Sequence, residues 1–563
     1  MKKWKENFLF FCRNRTYLFF LVLTALGSYG FFVTHSSIGI DDTCYAYYFE
    51  DGLNVIIGRW FLFLLNRIFH VSDFSPFITD LAGVLILMLA VTVWCTLLRS
   101  ICEDRVPLWG YVFFSCIFLS CPLISEVYPY YLHNGISTGY LCTAVSLCFF
   151  RDLAGITDKR GWKKTLPAAL GMIFFLCTAL GCYESFMIVW LLGILLVLLT
   201  LLYMGQDCRV FPLLGTGAAG AAASLLLRSL MITVLTLAYN LKELPGYSEP
   251  RSIGEMSAWI SAGAFPQFAM AVKRFYVMYF AFAYAYYPIR IFVAASLFLA
   301  LYGIWSAFYR KKPWIAVLTF GCFVACFLLV FVEGKVTLYR SAQFLPVICG
   351  YGAFLASHGA HRLKSLRLPK TFPAAGQFRK FFPGTVTALL VFALSAVLWN
   401  QCYDMNRWFY VDWQKYQATV NTMEQVAFVL EREHDTSKPL VFTGTYQPPK
   451  GIIGDAYVEY GTKTFYQINR LTQPVDAHLL EKFYREYGVW VAQMPSLSLI
   501  GWGMNAFETD EELVRFLAKH GHDFQANTDP ALYESACQYS VELPRFPAEG
   551  SIVDMGDYII VHF

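Results

Sequence analysis

Tyr17-Leu18-Phe19-Phe20-Leu21-Val22-Leu23-Thr24-Ala25-Leu26-Gly27-Ser28-Tyr29-Gly30-Phe31-Phe32-Val33 carries no charge. At 1.5 Å rise per residue a helix over 16–34 is about 28 Å long, close to the ~30 Å hydrocarbon layer of a bilayer. A basic flank (Lys2, Lys3, Lys5, Arg13, Arg15) precedes it, as it would a signal peptide. The apolar core is too long for a typical signal core and no small-x-small cleavage site follows, so it reads as a retained membrane helix.

The rest of the chain repeats this pattern. Of 563 residues, 57% are hydrophobic, 18% aromatic and only 15% charged, with a mean hydropathy of +0.47. Soluble domains carry roughly 25% charged residues. About eleven apolar stretches are predicted to span, at 16–34, 76–98, 107–124, 135–150, 165–182, 185–204, 210–230, 288–309, 314–332, 341–357 and 382–400. The net charge of +4 and the lack of a basic arm give no footprint for nucleic acid. Many of the 16 cysteines fall in apolar runs, where thiols act as small hydrophobes, and no pair has zinc-site spacing.

Orientation follows from the short loops. With the N-terminus inside, the inner segments hold Arg99, Arg105, Arg151, Lys159, Arg160, Arg209, Arg310, Lys311, Lys312 and Arg362. The opposite loops are poorer in basic residues and hold Asp41, Asp42, Asp73, Glu126, Glu184, Glu243, Glu249 and Glu333. The composition turns polar after residue 400, so 1–400 reads as the membrane domain and 401–563 as a small outer, extracytoplasmic domain. In that tail a helix is predicted from Asp412 to Glu433 and a strand at Pro439–Gly444. A second helix is predicted at Asp510–Lys519 and a final strand at Tyr558–Phe563, an α/β alternation. The predicted fold class is therefore an all-α polytopic membrane protein with a small C-terminal α/β domain.

Candidate chemistry gathers in the outer loops. Asp41-Asp42 emerges directly after the first helix. A carboxylate beside the membrane suits a general base, and Asp also suits a helix N-cap near Thr43. Gly58-Arg59-Trp60 follows in an apolar, amphipathic segment; Arg59 reads either as a phosphate ligand or as a snorkelling interfacial arginine. Lys335 and Arg340 are outer cations at a helix entrance, suited to an anionic lipid phosphate or to headgroup anchoring. Arg228 is a lone charge in an apolar run, which marks a functional or wet site. Glu126 and His133 bracket an aromatic loop that reads as an acceptor-site wall or as loop packing. His35, Asp41 and Asp42 are able to hold a divalent cation, though nothing in their spacing requires one. There is no P-loop, G-x-S-x-G, H-E-x-x-H or Rossmann fingerprint.

Taken in order, Asp41-Asp42, Gly58-Arg59-Trp60 and the late outer Arg340 resemble the bacterial GtrII-like glucosyltransferase family, whose members are polytopic enzymes of the GT-C type. The resemblance implies a GT-C-like membrane glycosyltransferase. Its donor would be a polyprenyl-phosphate-linked sugar, with glucose expected, and its acceptor a cell-envelope glycan at the outer face of the plasma (inner) membrane. An outer-loop Asp, either Asp41 or Asp42, would act as base. Arg340 or Arg59 at the phosphate is an inference added to the family pattern. Two other classes compete. A transporter or flippase for lipid-linked sugars predicts mid-bilayer charges and broken helices, which are sparse apart from Arg228. A non-catalytic envelope scaffold predicts that neutralising the Asp pair has no effect.

Overall fold

The computed structural model describes residues 2–35, 52–71, 76–128, 132–154, 162–206, 208–241, 257–266, 268–269, 271–272, 275, 290–334, 339–363, 375–444 and 509–563. Asp41, Asp42 and Lys335 lie outside these, as do most of the predicted outer segment 240–287 and the tyrosines at 284–287.

The membrane helices are α1 (Lys2–Arg13), α2 (Arg15–Thr34), α3 (Gly52–Ile56), α4 (Trp60–Ile68), α5 (Pro76–Cys102), α6 (Leu108–Leu119), α7 (Leu132–Ala154), α8 (Trp162–Cys182), α9 (Phe186–Tyr203) and α10 (Val210–Ala238). After the one-turn α11 (Ala258–Ser261) come α12 (Arg290–Arg310), α13 (Trp314–Glu333), α14 (Phe344–Leu363) and α15 (Ala375–Glu433). Nine helices among the described residues are long and apolar enough to cross a membrane. Of the remaining predicted spans, 135–150 lies within α7, and 341–357 is helical from Phe344, where α14 begins. Large apolar side chains face outward on this bundle, among them Phe19, Leu26, Phe211, Leu226, Phe308, Phe320 and Phe392. Such a surface suits hydrocarbon as its solvent.

The bundle sorts its charges to its two ends. At the predicted inner end, Arg151 Nη2 donates to the Ser100 carbonyl (2.8 Å), while Arg105 and Arg310 donate to the carbonyls of Met204 and Tyr203. These cations satisfy carbonyls that a helix C-terminus leaves open. At the opposite end lie α3, α4 and the α8–α9 turn. Some polar residues inside the bundle pair across helices: Tyr17 Oη lies 2.8 Å from Ser115 Oγ, and Thr200 Oγ1 lies 2.7 Å from Tyr351 Oη.

α15 differs from its prediction. The expected span 382–400 and the expected tail helix 412–433 form one helix of 59 residues, about 90 Å long. No Gly or Pro interrupts 385–433, so the backbone has nothing to end it where the composition changes. Beyond residue 400 it still runs beside α2. Cys402 Sγ lies 3.3 Å from Ser28 Oγ, Asn406 donates to the Gly27 carbonyl, and Phe409 packs 4.9 Å from the Phe32 ring.

Past α15 the described chain forms an α/β unit. β1 (Pro439–Thr443), β2 (Gln525–Ala526), β3 (Ile552–Asp554) and β4 (Ile559–His562) make a sheet of order β2-β1-β4-β3. β1 is parallel to β2 and β4, and β3 is antiparallel to β4. Alternation along the strands divides two cores. Leu440, Phe442, Ile559 and Val561 meet Met423, Val426 and Leu430 of α15 and Leu513, Phe516 and Leu517 of α16 (Asp510–Lys519). Val441 and Ile560 meet Ala536 of α17 (Pro530–Ser540) on the other face.

Candidate active site

Gly58, Arg59 and Trp60 each seat against a different part of the bundle. Gly58 ends α3 with a positive φ of 92°, its N–H donating to the Val55 carbonyl at 3.0 Å. This is a glycine helix stop. Its carbonyl accepts from Arg228 Nε at 3.1 Å. A Cβ at residue 58 would fall 2.0 Å from Arg228 Nη2, so the guanidinium occupies the space a side chain would need. Arg228 thus stands ten residues before the end of α10, with its head drawn to the α3–α4 break. Trp60 packs on Gly181 of α8, where a Cβ would lie 2.3 Å from its Nε1.

Arg59 pairs with Glu184 in the two-residue connection that follows Tyr183. Its Nη2 is 3.2 Å from Oε1 and its Nε is 3.4 Å from Oε2. The guanidinium also lies over the Tyr183 ring, 4.6 Å from the centroid, in cation–π geometry. Burial works against the charge on both partners. Burial is the largest single effect on each, but the partner's charge and hydrogen bonds, with Tyr183 acting on Arg59 and Arg228 on Glu184, together exceed it, so Arg59 sits above and Glu184 below its ordinary pKa. Burial raises the Tyr183 phenol. Glu184 is therefore an ionised carboxylate, and its side chain is 38% exposed against 18% for Arg59.

Arg340 comes from the segment between α13 and α14. It lies in the one-turn helix Tyr339–Ser341, and Ser341 Oγ is 3.2 Å from the Tyr183 hydroxyl. Gln343 Nε2 donates to the Arg340 carbonyl (2.6 Å), and the Tyr140 hydroxyl of α7 reaches Gln343 Oε1 at 2.6 Å. A buried side chain of the bundle thus holds the Arg340 backbone in place. The charge on Arg340 is felt at both Arg59 and Tyr183.

Three of the predicted cations, from positions 59, 228 and 340, therefore converge on Tyr183–Glu184. Glu184 was legible only as one acid among the outer loops, and Tyr183 carried no signal at all. His133 goes elsewhere. It is buried in α7, with Nε2 3.3 Å from the Thr79 carbonyl and 3.6 Å from Asp80 Oδ1, its ring against Tyr128 and Phe32. None of these contacts joins it to the arginines. Glu126 ends the one-turn helix Pro122–Glu126. Among the described residues no three His, Cys, Asp or Glu side chains gather as a metal site. His35 stacks on Phe31 at 4.0 Å and contacts Trp413 at 5.2 Å.

The guanidinium groups of Arg59, Arg228 and Arg340 gather around Tyr183–Glu184, and guanidinium suits an anionic, phosphate-like group. No curated protein matches the chain. Among solved structures, the crystal structure of ArnT from Cupriavidus metallidurans bound to undecaprenyl phosphate is similar at 12% identity and a TM-score of 0.35. That similarity covers 83% of this chain and 90% of that one. The family model "Glucosyl transferase GtrII" matches residues 30–357, more than half of the chain and a region that includes Arg59, Glu184, Arg228 and Arg340. The protein is a membrane glycosyltransferase and belongs to the glucosyl transferase GtrII family.

Proposed function

We propose that the protein moves a sugar, glucose by family, from a polyprenyl-phosphate-linked donor to a cell-envelope glycan on the outer face of the inner membrane. The observation that carries this reading is the convergence of Arg59, Arg228 and Arg340 at the bundle end predicted to be outside. In the reaction the acceptor hydroxyl oxygen forms the new bond to the anomeric carbon while the bond from that carbon to the phosphate oxygen breaks. The acceptor's proton passes to a carboxylate, Asp41 or Asp42 in this reading. Polyprenyl phosphate leaves with added charge, and donors placed where charge develops lower the barrier. Arg59 and Arg340, reaching the site from separate helices, supply that charge from fixed backbones, and Arg228 completes the cluster. Lys335 adds a cation from the same loop as Arg340. The tail lies outside, and the N-terminus lies in the cytoplasm.

The test is transfer of label from radiolabelled glucosyl polyprenyl phosphate to envelope glycan by the purified protein. Wild type is expected to transfer label. One of Asp41→Asn and Asp42→Asn is expected to fall by about 100-fold or more, the usual loss of a general base. Arg59→Gln is expected to fall at least tenfold. Unchanged transfer in both Asp variants removes the pair from the mechanism, and no transfer by wild type overturns the donor assignment.

A further inference from the structure

The Arg59–Glu184 pair is looser than its charges would suggest. Its two contacts are 3.4 and 3.2 Å, against roughly 2.7–2.9 Å for a strong guanidinium–carboxylate bond. Glu184 also lies between two helix ends that are themselves well fixed. The Tyr183 N–H donates to the Ala179 carbonyl at 3.1 Å, and the Glu184 carbonyl accepts from the Met187 N–H at 3.1 Å. The backbone is held, and the side chain is 38% exposed, so solvent reaches it on the side away from Arg59. The fork of Arg59 that faces this carboxylate fits a phosphate equally well.

We infer that Glu184 is a resident counter-anion, holding on Arg59 the place that the donor's phosphate takes, so that donor binding is an exchange of one anion for another. This rests on the reading of the arginine cluster as the phosphate site. In the empty protein the carboxylate keeps the half-buried Arg59 guanidinium compensated. When the phosphate enters, Glu184 is displaced toward solvent. The Arg59 side chain stays in position through the Tyr183 ring at 4.6 Å, which does not compete for its N–H donors. A strut and a placeholder predict opposite signs when the carboxylate is removed. A strut lost weakens phosphate binding, whereas a placeholder lost strengthens it because nothing need be displaced.

The experiment measures binding of farnesyl phosphate to the purified full-length protein in detergent at fixed ionic strength, by affinity and by ligand-induced rise in Tm. Wild type is expected to bind, Glu184→Gln to bind about tenfold more tightly with a larger rise in Tm, and Arg59→Gln at least tenfold more weakly. Glu184→Asp, whose carboxylate is one methylene short of Arg59, is expected to shift the same way by a smaller factor. It serves if the Gln variant does not fold. Equal or weaker binding by the Glu184 variants, with Arg59→Gln still impaired, overturns the exchange and makes Glu184 a strut. If wild type does not bind, or Arg59→Gln binds as well as wild type, the phosphate site itself is overturned and the exchange falls with it.

Discussion

Gly58 links the motif to the distant Arg228. Its φ of 92° is disfavoured for a side-chain-bearing residue, and its missing Cβ leaves room for the Arg228 head. Gly58→Ala is therefore expected to destabilise the protein by about 2 kcal/mol or more and to cut sugar transfer at least tenfold. Adding Arg228→Ala is expected to recover part of the Tm without recovering transfer, because the clash goes and a cation goes with it. Thermal unfolding and the label-transfer assay on both variants check this. The candidate cations were each legible alone, since an outer arginine or a lone charge in an apolar run stands out by composition. Their meeting was not, because no local pattern relates positions 59, 228 and 340. Glu184 was missed as a partner for the same reason, although an acid placed directly between two apolar runs was the available signal.

At the level of elements, α15 joins the bundle to the α/β unit, and His522 pins that unit to it. His522 Nδ1 lies 2.7 Å from Glu431 and Nε2 lies 3.0 Å from Glu424, two carboxylates two turns apart on α15. With a carboxylate facing each ring nitrogen, only the imidazolium satisfies both. The Glu431 and Glu424 contacts raise the His522 pKa above its ordinary value of 6.5. A raised histidine pKa adds stability that is complete below the unfolded value and disappears as pH rises through the folded one. His522→Gln is accordingly expected to lower Tm at pH 6 and to match wild type once the pH is well above 6.5, which a Tm series over pH 5.5–9 measures. Equal losses at both ends of that range would mean packing, not protonation, joins the elements. β1, β4 and α16 were legible from alternation and periodicity, whereas the short β2 and β3 and helix α17 were not; in the structure Thr509 caps α16, its side chain accepting from the Glu512 N–H at 3.2 Å. The continuity of α15 was hidden by its change of solvent: the apolar count falls at residue 400 while the helical backbone continues.

For the whole molecule, the predicted topology puts α1 inside and the α/β unit outside. Two cysteines report on this, because Cys12 is exposed on α1 and Cys537 is partly exposed on α17, while most described membrane cysteines are buried. In a variant that keeps only these two thiols, a membrane-impermeant maleimide is expected to label Cys537 in intact cells and Cys12 only after permeabilisation. The reverse pattern would invert the molecule and move the arginine cluster to the cytoplasmic face.

Composition and periodicity were enough to show that this chain lives in a bilayer and where most of its apolar spans lie. Those properties follow from transfer free energies that each segment of about 20 residues feels independently of the others. The motif residues also carried the family resemblance, because short outer-loop patterns survive as local sequence. Only the tertiary structure decided that Arg59, Arg228 and Arg340 surround Tyr183–Glu184. It also placed His133 in helix packing beside Asp80. These pairings depend on which helices become neighbours, with Arg228 seated at Gly58 and Trp60 at Gly181. A steric match between residues more than a hundred positions apart leaves no local trace in either sequence segment.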